Sequence, residues 1–144
     1  MSFSGRIAPV SMLLSKGLNS DIFFSRTFFT YSHDNAIKAV ADGIADAAAI
    51  DSMIYENAVE RNPQLTKRLK IIDRSFETGN PPVVVSAHAD PTLKARLQTI
   101  LFNMDQTEAG RAVLKSLMYD RFVQPHEDEY SMLKTVWLSV RGTL

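Results

Sequence analysis

The sequence predicts an α/β fold with an appended helical region, and three observations support this prediction. The first half alternates short aromatic or β-branched runs with amphipathic stretches, which is the order of βαβ units that build a parallel sheet. The second half has one β-branched run followed by apolar residues at helical spacing. The chain has 144 residues, of which 45% are hydrophobic and 22% charged, enough for a core of ordinary domain size.

Helix boundaries are predicted from capping and stop residues. The first predicted helix is capped by Ser4 and ends at Gly17, with Pro9 tolerated near its first turn. Asp90 and Pro91 form a typical helix start, because aspartate caps and proline suits the first helical position. The other predicted helices cover residues 34–42 and 52–61, a helix starting at Thr107 with Ala112, Val113 and Leu117 facing inward, and a last helix with its apolar stripe over 132–140.

Strands are predicted where aromatic or β-branched residues cluster between turn signals. The composition of residues 74–82, with Gly79, Asn80, Pro81 and Pro82, is that of a linker. The predicted strands cover residues 23–31, 46–50, 70–73 and 83–86.

Composition excludes several classes of function. Lys+Arg and Asp+Glu both number 16, so the formal net charge is +0, which argues against a nucleic-acid binder or a polybasic membrane-surface protein. The absence of cysteine excludes disulfides, thiolate metal sites and cysteine nucleophiles. No apolar run approaches the roughly 18 residues that span a bilayer, and residues 1–17 lack the pattern of a signal peptide.

The histidines do not form a catalytic or metal-binding pattern. His33, His88 and His126 each have a carboxylate nearby, but no two histidines share a metal-binding helical spacing. A hydrolase built on Ser32, His33 and Asp51 would lack the nucleophile elbow, and no phosphate-binding P-loop is present. The sequence therefore predicts no enzyme, no metal and no cofactor.

One group of polar residues suits anion binding. Ser2 and Ser4 stand at the front of the first predicted helix, where free backbone N–H groups and the helix dipole favour an anion. His33 and Asp51 each follow a predicted strand at the start of a helix, and the carboxyl ends of parallel strands are where ligands bind. Spacing alone favours the simpler interpretation, in which Ser4 and Asp51 are helix caps and His33 is a loop residue.

The block from Ser32 to Ser52 resembles the phosphate, phosphite and phosphonate-binding proteins of bacterial ABC transporters, which are two-lobed periplasmic binding proteins. Ser2-x-Ser4-Gly5 is similar to the Ser-Thr-Ser-Gly phosphate-binding turn of that family, with Phe3 in place of the threonine. The similarity continues through Arg74-Ser75, Asn80 to Val85, Asn103-Met104, Gly110-Arg111 and Arg121-Phe122-Val123.

The resemblance implies a ligand site in a cleft between two lobes. Ser2, Ser4 and the N–H groups around Gly5 would hold phosphoryl oxygens, His33 would donate a hydrogen bond to the ligand, and Asp51 would face the same oxyanion. A carboxylate repels an anion unless the ligand still carries a proton. Asp51 would therefore accept from a P–OH group and reject fully deprotonated sulfate.

The resemblance also implies a division of the chain. Residues 1–76 would form the second α/β lobe with a parallel-rich sheet and flanking helices, and residues 77–144 a crossover strand and C-terminal helices. Those helices would normally pack on a first lobe, so we expect an N-terminally truncated receptor with a half-cleft that binds weakly. The implied partners are a small oxyanion and an ABC transporter permease, in the periplasm.

A different class of function stays open. The chain could be a non-transporting remnant, or a ligand-sensing or self-associating module of the same fold. Helix faces without a covering lobe would need another cover. A homodimer through exposed C-terminal helices is the expected form of that alternative.

Overall fold

A computed structural model describes residues 2–143, and every regular element among them is a helix. A short π-helix at Phe3–Ile7 runs directly into the first α-helix, and a 3-10 helix at Met104–Gln106 precedes the seventh. The α-helices are α1 (Ala8–Ser15), α2 (Ser20–Phe23), α3 (His33–Ala41), α4 (Ser52–Arg61), α5 (Pro63–Thr66), α6 (Pro91–Phe102), α7 (Glu108–Leu117) and α8 (Asp128–Val140).

The predicted α/β class with a parallel-rich sheet is wrong, because residues 2–143 contain no β-strand. The predicted strand over 23–31 instead begins in the last residue of α2 and continues without regular structure. The other three predicted strands, at 46–50, 70–73 and 83–86, also lie in segments without regular structure.

The physical reason is that a strand needs a neighbouring backbone, whereas strand propensity records only how well side chains fit a half-buried pleated surface. The β-branched run at Val83, Val84 and Val85 has no such neighbour and leaves its side chains 62%, 78% and 41% exposed. Ile72, in the predicted strand over 70–73, is likewise 78% exposed. These segments have the composition of strands but no partner strand in the described chain.

The observed helix boundaries agree with the predicted ones much better than the predicted strands do, and one capping residue differs. Ser2, not Ser4, caps the first helical segment, since the Ser2 Oγ accepts from the backbone N of Gly5 at 3.1 Å. The predicted stop at Gly17 is confirmed, because Gly17 follows α1 with a φ of +72°, a conformation that favours glycine. Pro9 lies in the first turn of α1, where its missing N–H costs no hydrogen bond.

The helix starts predicted at Asp51, Asp90 and Thr107 are confirmed, and all three residues are caps. Asp51 caps α4, Asp90 caps α6 and Thr107 caps α7, each accepting a backbone N–H from the first turn. The helix predicted over 34–42 begins one residue earlier, at His33, because Ser32 caps it.

The chain divides into two units, which we describe separately: the described residues up to Thr78 with those from Ser131 onward, and residues 79–130. The first unit holds a small apolar core in which the end of the π-helix and α1 meet α8 through Ile7, Val10, Val136 and Val140. The Phe3 and Phe76 rings pack edge to face against this core, 6.1 Å apart. The earlier division at residue 76 stays a prediction.

The buried face of α3 orients the part of the first unit that carries His33 and Asp51. Ile37 is only 2% exposed, and α3 packs beside α4 and α5. At its C-terminal end Lys38 forms an ion pair with Asp42, and the Arg68 guanidinium lies 3.6 Å from the same carboxylate. The hydrogen bond from Lys38 lowers the pKa of Asp42, aided by the charges of Lys38 and Arg68.

The second unit is built on α6 and α7. The Tyr130 hydroxyl donates to the backbone O of Asn80 at 3.0 Å, which ties the two ends of the unit together. The inward face predicted for α7 is wrong: Leu114 is 2% exposed, whereas Val113 and Leu117 are 48% and 46% exposed. The spacing of apolar residues predicted the helix correctly, but the buried side chain is Leu114 and not Val113 or Leu117.

Candidate functional site

His33 connects three separate segments of the first unit. Its ring Nε2 lies 3.2 Å from the hydroxyl Oγ of Ser4, in the π-helix at the N-terminus. Its other ring nitrogen, Nδ1, accepts from the backbone N of Asp51 at 3.4 Å. Both contacts are half-buried. Ser4 is 29 positions and Asp51 18 positions from His33 in the sequence, and both contact its imidazole.

The start of α3 fixes the position of His33. The Ser32 Oγ accepts from the backbone N of Asn35 at 3.1 Å, and the Asn35 side-chain amide donates to the Thr30 carbonyl at 3.1 Å. The Thr30 hydroxyl in turn donates to the Ser32 carbonyl at 2.9 Å. Tyr31, between them, has a φ of +62°, the left-handed region that non-glycine residues adopt at a cost. This turn holds His33 in the first helical position.

Three of these supporting residues were not among the predicted site residues. Thr30, Ser32 and Asn35 form the turn before and within the first turn of α3. A serine directly before a helical period is a recognisable capping signal, and Ser32 could have been identified from it. The Ser32 hydroxyl is the cap of α3, since its oxygen accepts from the backbone N of Asn35.

Asp51 enters the site through its backbone and supports α4 through its side chain. Its Oδ1 accepts from the backbone N of Met53 at 3.1 Å and of Ile54 at 3.5 Å. Its own backbone N donates to His33. The side chain is half-buried. The helix cap therefore fixes both the backbone that contacts His33 and the carboxylate beside it.

The N-terminal serines play different parts. The Ser2 hydroxyl is exposed and caps through Gly5, whereas the Ser4 hydroxyl contacts His33. Gly5 lies between them: a Cβ at this position would stand 3.2 Å from the Ser2 Oγ and 3.9 Å from the His33 Cε1. The structure therefore brings Ser2, Ser4, Gly5, His33 and Asp51, the five predicted site residues, into one region of the first unit.

This region holds two serine hydroxyls, one imidazole and one carboxylate, of which the Ser4 hydroxyl and the backbone N of Asp51 contact the half-buried ring. Such a set can donate and accept hydrogen bonds with a small polar ligand. Within residues 2–143, no group of three or more His, Asp or Glu side chains could hold a metal ion. The same residues include no helix long and apolar enough to cross a membrane.

Comparison with known proteins finds similarity to the family that the sequence motifs resemble. A family model described as "ABC transporter, phosphonate, periplasmic substrate-binding protein" matches residues 1–130, which include all five predicted site residues. A curated relative, a probable ABC transporter phosphite-binding protein of Prochlorococcus marinus (strain MIT 9301), is 25% identical over 147 residues. That match covers 94% of this chain and 48% of the relative, so the chain spans about half the length of the relative.

Proposed function

Because this chain belongs to the phosphonate-binding periplasmic substrate-binding proteins of ABC transporters, we propose that it binds a phosphorus oxyanion: phosphate, phosphite or a phosphonate. Proteins of this family bind a substrate for transport and are not enzymes, so the proposal is one of binding without chemical change. The similarity to a phosphite-binding relative supports the same class of ligand.

The observation that carries the proposal is the hydrogen-bonded connection from Ser4 through His33 to Asp51. This connection joins Ser2-x-Ser4-Gly5 to the block from Ser32 to Ser52, two motifs of the family resemblance that lie far apart in the sequence. Ser2 and Gly5 lie next to Ser4 and add a hydroxyl and a backbone turn on the same side. We propose that these five residues form the part of the oxyanion site that this chain contributes.

Asp51 gives the proposed site its selectivity. A carboxylate lowers the affinity for any anion that offers it no proton, since two acceptors then face each other without a donor. A hydrogen phosphate, phosphite or phosphonate can donate its P–OH to the carboxylate, whereas sulfate at neutral pH cannot. The Asp51 side chain is half-buried, which strengthens this contrast relative to open water.

The substitution Asp51→Asn tests this selectivity. Asparagine caps helices about as well as aspartate, so α4 should keep its start. We expect the ratio of phosphite to sulfate affinity, measured by calorimetry, to narrow by about tenfold, because the amide can donate to sulfate and removes the repulsive charge.

Asp46→Asn is the matched control, because Asp46 is an exposed carboxylate a few residues before the same helix. This control should leave the affinity ratio unchanged. An Asp51→Asn variant that keeps the wild-type ratio would contradict the proposed role of Asp51.

The transport context follows from the family and is proposed for this chain. A substrate-binding protein of an ABC transporter delivers its ligand to a membrane permease, and the family is described as periplasmic. We therefore propose a permease as the macromolecular partner and the periplasm as the location.

A second candidate function is self-association, and the accessible surface favours it. The chain exposes 11,095 Å². Two separate compact bodies with the lengths of the two units would expose about 8,900 Å² together. Large apolar side chains on the C-terminal helices contribute to this excess, among them Met132, Trp137 and Leu138 on α8 at 49%, 41% and 47% exposure. A homodimer that covers these helices is the form we propose for this function.

A further inference from the structure

The segment over residues 22–31 runs from the end of α2 towards α3 and carries exposed aromatic side chains around a single charge, that of Arg26. Tyr31 is 98% exposed and Phe29 64%. Apolar rings in water are unfavourable, so several of them on one short segment indicate a surface that binds a partner. The exposed large side chains of the segment are Ile22, Phe23, Phe24, Phe28, Phe29 and Tyr31.

The backbone of this segment is extended and unpaired. Phe24 has a φ of −96° and a ψ of 134°, in the β region. The Arg26 Cζ lies 5.9 Å from the centre of the Phe28 ring, so these side chains, two positions apart, share one face, as alternate residues of an extended chain do. Within residues 2–143, no backbone N–H or carbonyl group of residues 25–29 forms a backbone hydrogen bond. The segment therefore has the properties of a strand edge without a neighbour.

We propose that residues 24–30 pair antiparallel with the same residues of a second copy of this chain. A free strand edge binds another chain through its unpaired N–H and carbonyl groups, and the side chains of the two strands then cover one another. This interface goes beyond oxyanion binding. It also goes beyond the homodimer through α8, because it uses other residues of the first unit.

The sequence of the segment is complementary to itself. Antiparallel pairing centred on Thr27 places Arg26 of each copy opposite Phe28 of the other. The cation–π contact that Arg26 makes within its own chain is then repeated twice between the chains. Ser25 falls opposite Phe29, and no charge directly opposes a like charge, which would be destabilising. This matching favours a second copy over an unrelated strand.

Tyr31 lies just beyond the end of the proposed strand and faces solvent, with a φ of +62°. The same pairing brings Tyr31 of one copy beside Phe23 of the other, at the wall of an open, mostly apolar pocket. Tyrosine is typical of interface anchors, because it buries a large area at a low cost in side-chain entropy. The pocket gives the Tyr31 ring a surface to cover. It is lined by Gly17, Leu18, Asn19, Ile22 and Phe23.

The exposed aromatic area of the segment is that of a weak dimer. The aromatic side chains of residues 23–31 together expose the equivalent of about three whole rings, on the order of 600 Å² per chain. Two copies that cover these rings bury about 1,200 Å² in total, the lower end of the range for specific interfaces. We therefore expect a dissociation constant of about 0.1 mM, which is weaker than association through α8.

Sedimentation equilibrium at up to about 1 mM tests the pairing, with Leu138→Glu as the parent chain so that α8 does not contribute. In this parent, Phe28→Lys and Phe28→Glu remove the same ring but place opposite charges beside Arg26 of the second copy. Phe28→Lys should weaken the dimer by about tenfold or more, because the like-charge pair occurs twice in each dimer. Phe28→Glu should associate about tenfold more tightly than Phe28→Lys, because its carboxylate attracts Arg26.

Ile44→Lys is the matched control, because Ile44 is an exposed apolar side chain of the first unit outside this segment. It should keep the dissociation constant of the parent. A parent that stays monomeric would overturn the proposal, and the segment would then be left to a different protein partner. Equal dissociation constants for Phe28→Lys and Phe28→Glu would overturn it as well, since the charge at residue 28 would then not face Arg26.

Amide hydrogen exchange of the Leu138→Glu parent locates the contact. Raising its concentration from about 0.01 mM to about 1 mM, on either side of the expected dissociation constant, should slow exchange within residues 24–30 and leave residues 79–130 unchanged. A dimer that forms without slower exchange in residues 24–30 would overturn the proposal, because the backbone groups of the segment would then stay unpaired. Neither measurement contains phosphite, so both outcomes are independent of the proposed oxyanion binding.

Discussion

Asp51 shows how one residue can serve both the fold and the candidate site. Its carboxylate caps α4 by accepting from Met53 and Ile54, and its backbone N donates to His33. The interpretation of Asp51 as a simple helix cap is therefore confirmed, and it is compatible with a place beside a ligand. The cap holds the backbone in the position from which it reaches the imidazole.

Gly110, in the first turn of α7, is a residue whose size is dictated by a close approach. A Cβ at this position would lie 1.8 Å from the backbone O of Met104 and 2.8 Å from the Met104 Cγ. We expect Gly110→Ala to lower the free energy of unfolding by about 1–3 kcal/mol, the usual cost of forcing atoms into an occupied space. Urea unfolding measures this change.

Gly142→Ala is the matched control for Gly110→Ala. Apart from its two chain neighbours, no residue among 2–143 has an atom within 4 Å of a Cβ built at Gly142. This variant should unfold within about 0.5 kcal/mol of wild type, as for most surface substitutions. Equal effects of the two alanines would show that the approach of Met104 to Gly110 does not constrain the protein.

At the scale of elements, helix boundaries could be predicted from the sequence because the signals that set them are local. Asp51, Asp90 and Thr107 each bond to backbone N–H groups within three residues, so neighbouring sequence is sufficient to identify them. The choice of Ser4 over Ser2 as the first cap failed by two residues, since both serines precede an apolar stretch.

The absence of strands from residues 2–143 could not be predicted, because strand pairing is a non-local property. The segment with Val84 has strand composition, yet nothing in its own residues specifies a neighbouring backbone, and the side chain is 78% exposed. The meeting of His33 with Asp51 was expected from the carboxyl ends of a parallel sheet. In the structure it arises without a sheet, from two capped helix starts joined by one hydrogen bond.

The end of α3 gives a prediction on pH dependence. The hydrogen bond from Lys38 holds the pKa of Asp42 below its usual value, and the nearby Lys38 and Arg68 charges act in the same direction. A lowered pKa in the folded state stabilises the fold above the unfolded-state pKa of about 4, and this stabilisation is lost as the pH falls through the folded-state pKa. Lys38→Met should therefore lose less stability than wild type on acidification from neutral pH to about pH 3.

Urea unfolding at the two pH values measures this difference. Lys67→Met, which removes an exposed lysine from the turn after α5, is the control and should keep the wild-type dependence on pH. If Lys38→Met and Lys67→Met lost the same stability on acidification, the pair between Lys38 and Asp42 would have no effect on the fold.

At the scale of the whole molecule, the exposed apolar surface is the feature that a single copy of the chain leaves unexplained. The chain spans 48% of its phosphite-binding relative and exposes more surface than two compact bodies of its unit lengths. An obligate interface typically buries about 2,000 Å² or more in total, which the excess of a pair of chains could supply. We therefore expect self-association to cover the exposed apolar side chains of α8.

Sedimentation equilibrium tests self-association. The wild-type chain should form a dimer at micromolar concentration, and Leu138→Glu, which places a charge on the exposed apolar face of α8, should shift it to monomer. Lys67→Glu introduces the same side chain at an exposed polar position and should remain dimeric. A wild-type chain that stays monomeric would contradict the second candidate function and leave oxyanion binding unaffected.

The most direct test of oxyanion binding at Ser4, His33 and Asp51 is a titration of the nitrogen-15-labelled chain with phosphite, followed by the backbone amide resonances. The account predicts saturable shifts concentrated at residues 2–5, at His33 and at Asp51, with those of residues 79–130 unchanged. It also predicts that Ser4→Ala weakens the response, whereas Ser15→Ala, an exposed hydroxyl at the end of α1, does not. Shifts that do not saturate, or that are spread over the chain without regard to these residues, would contradict it.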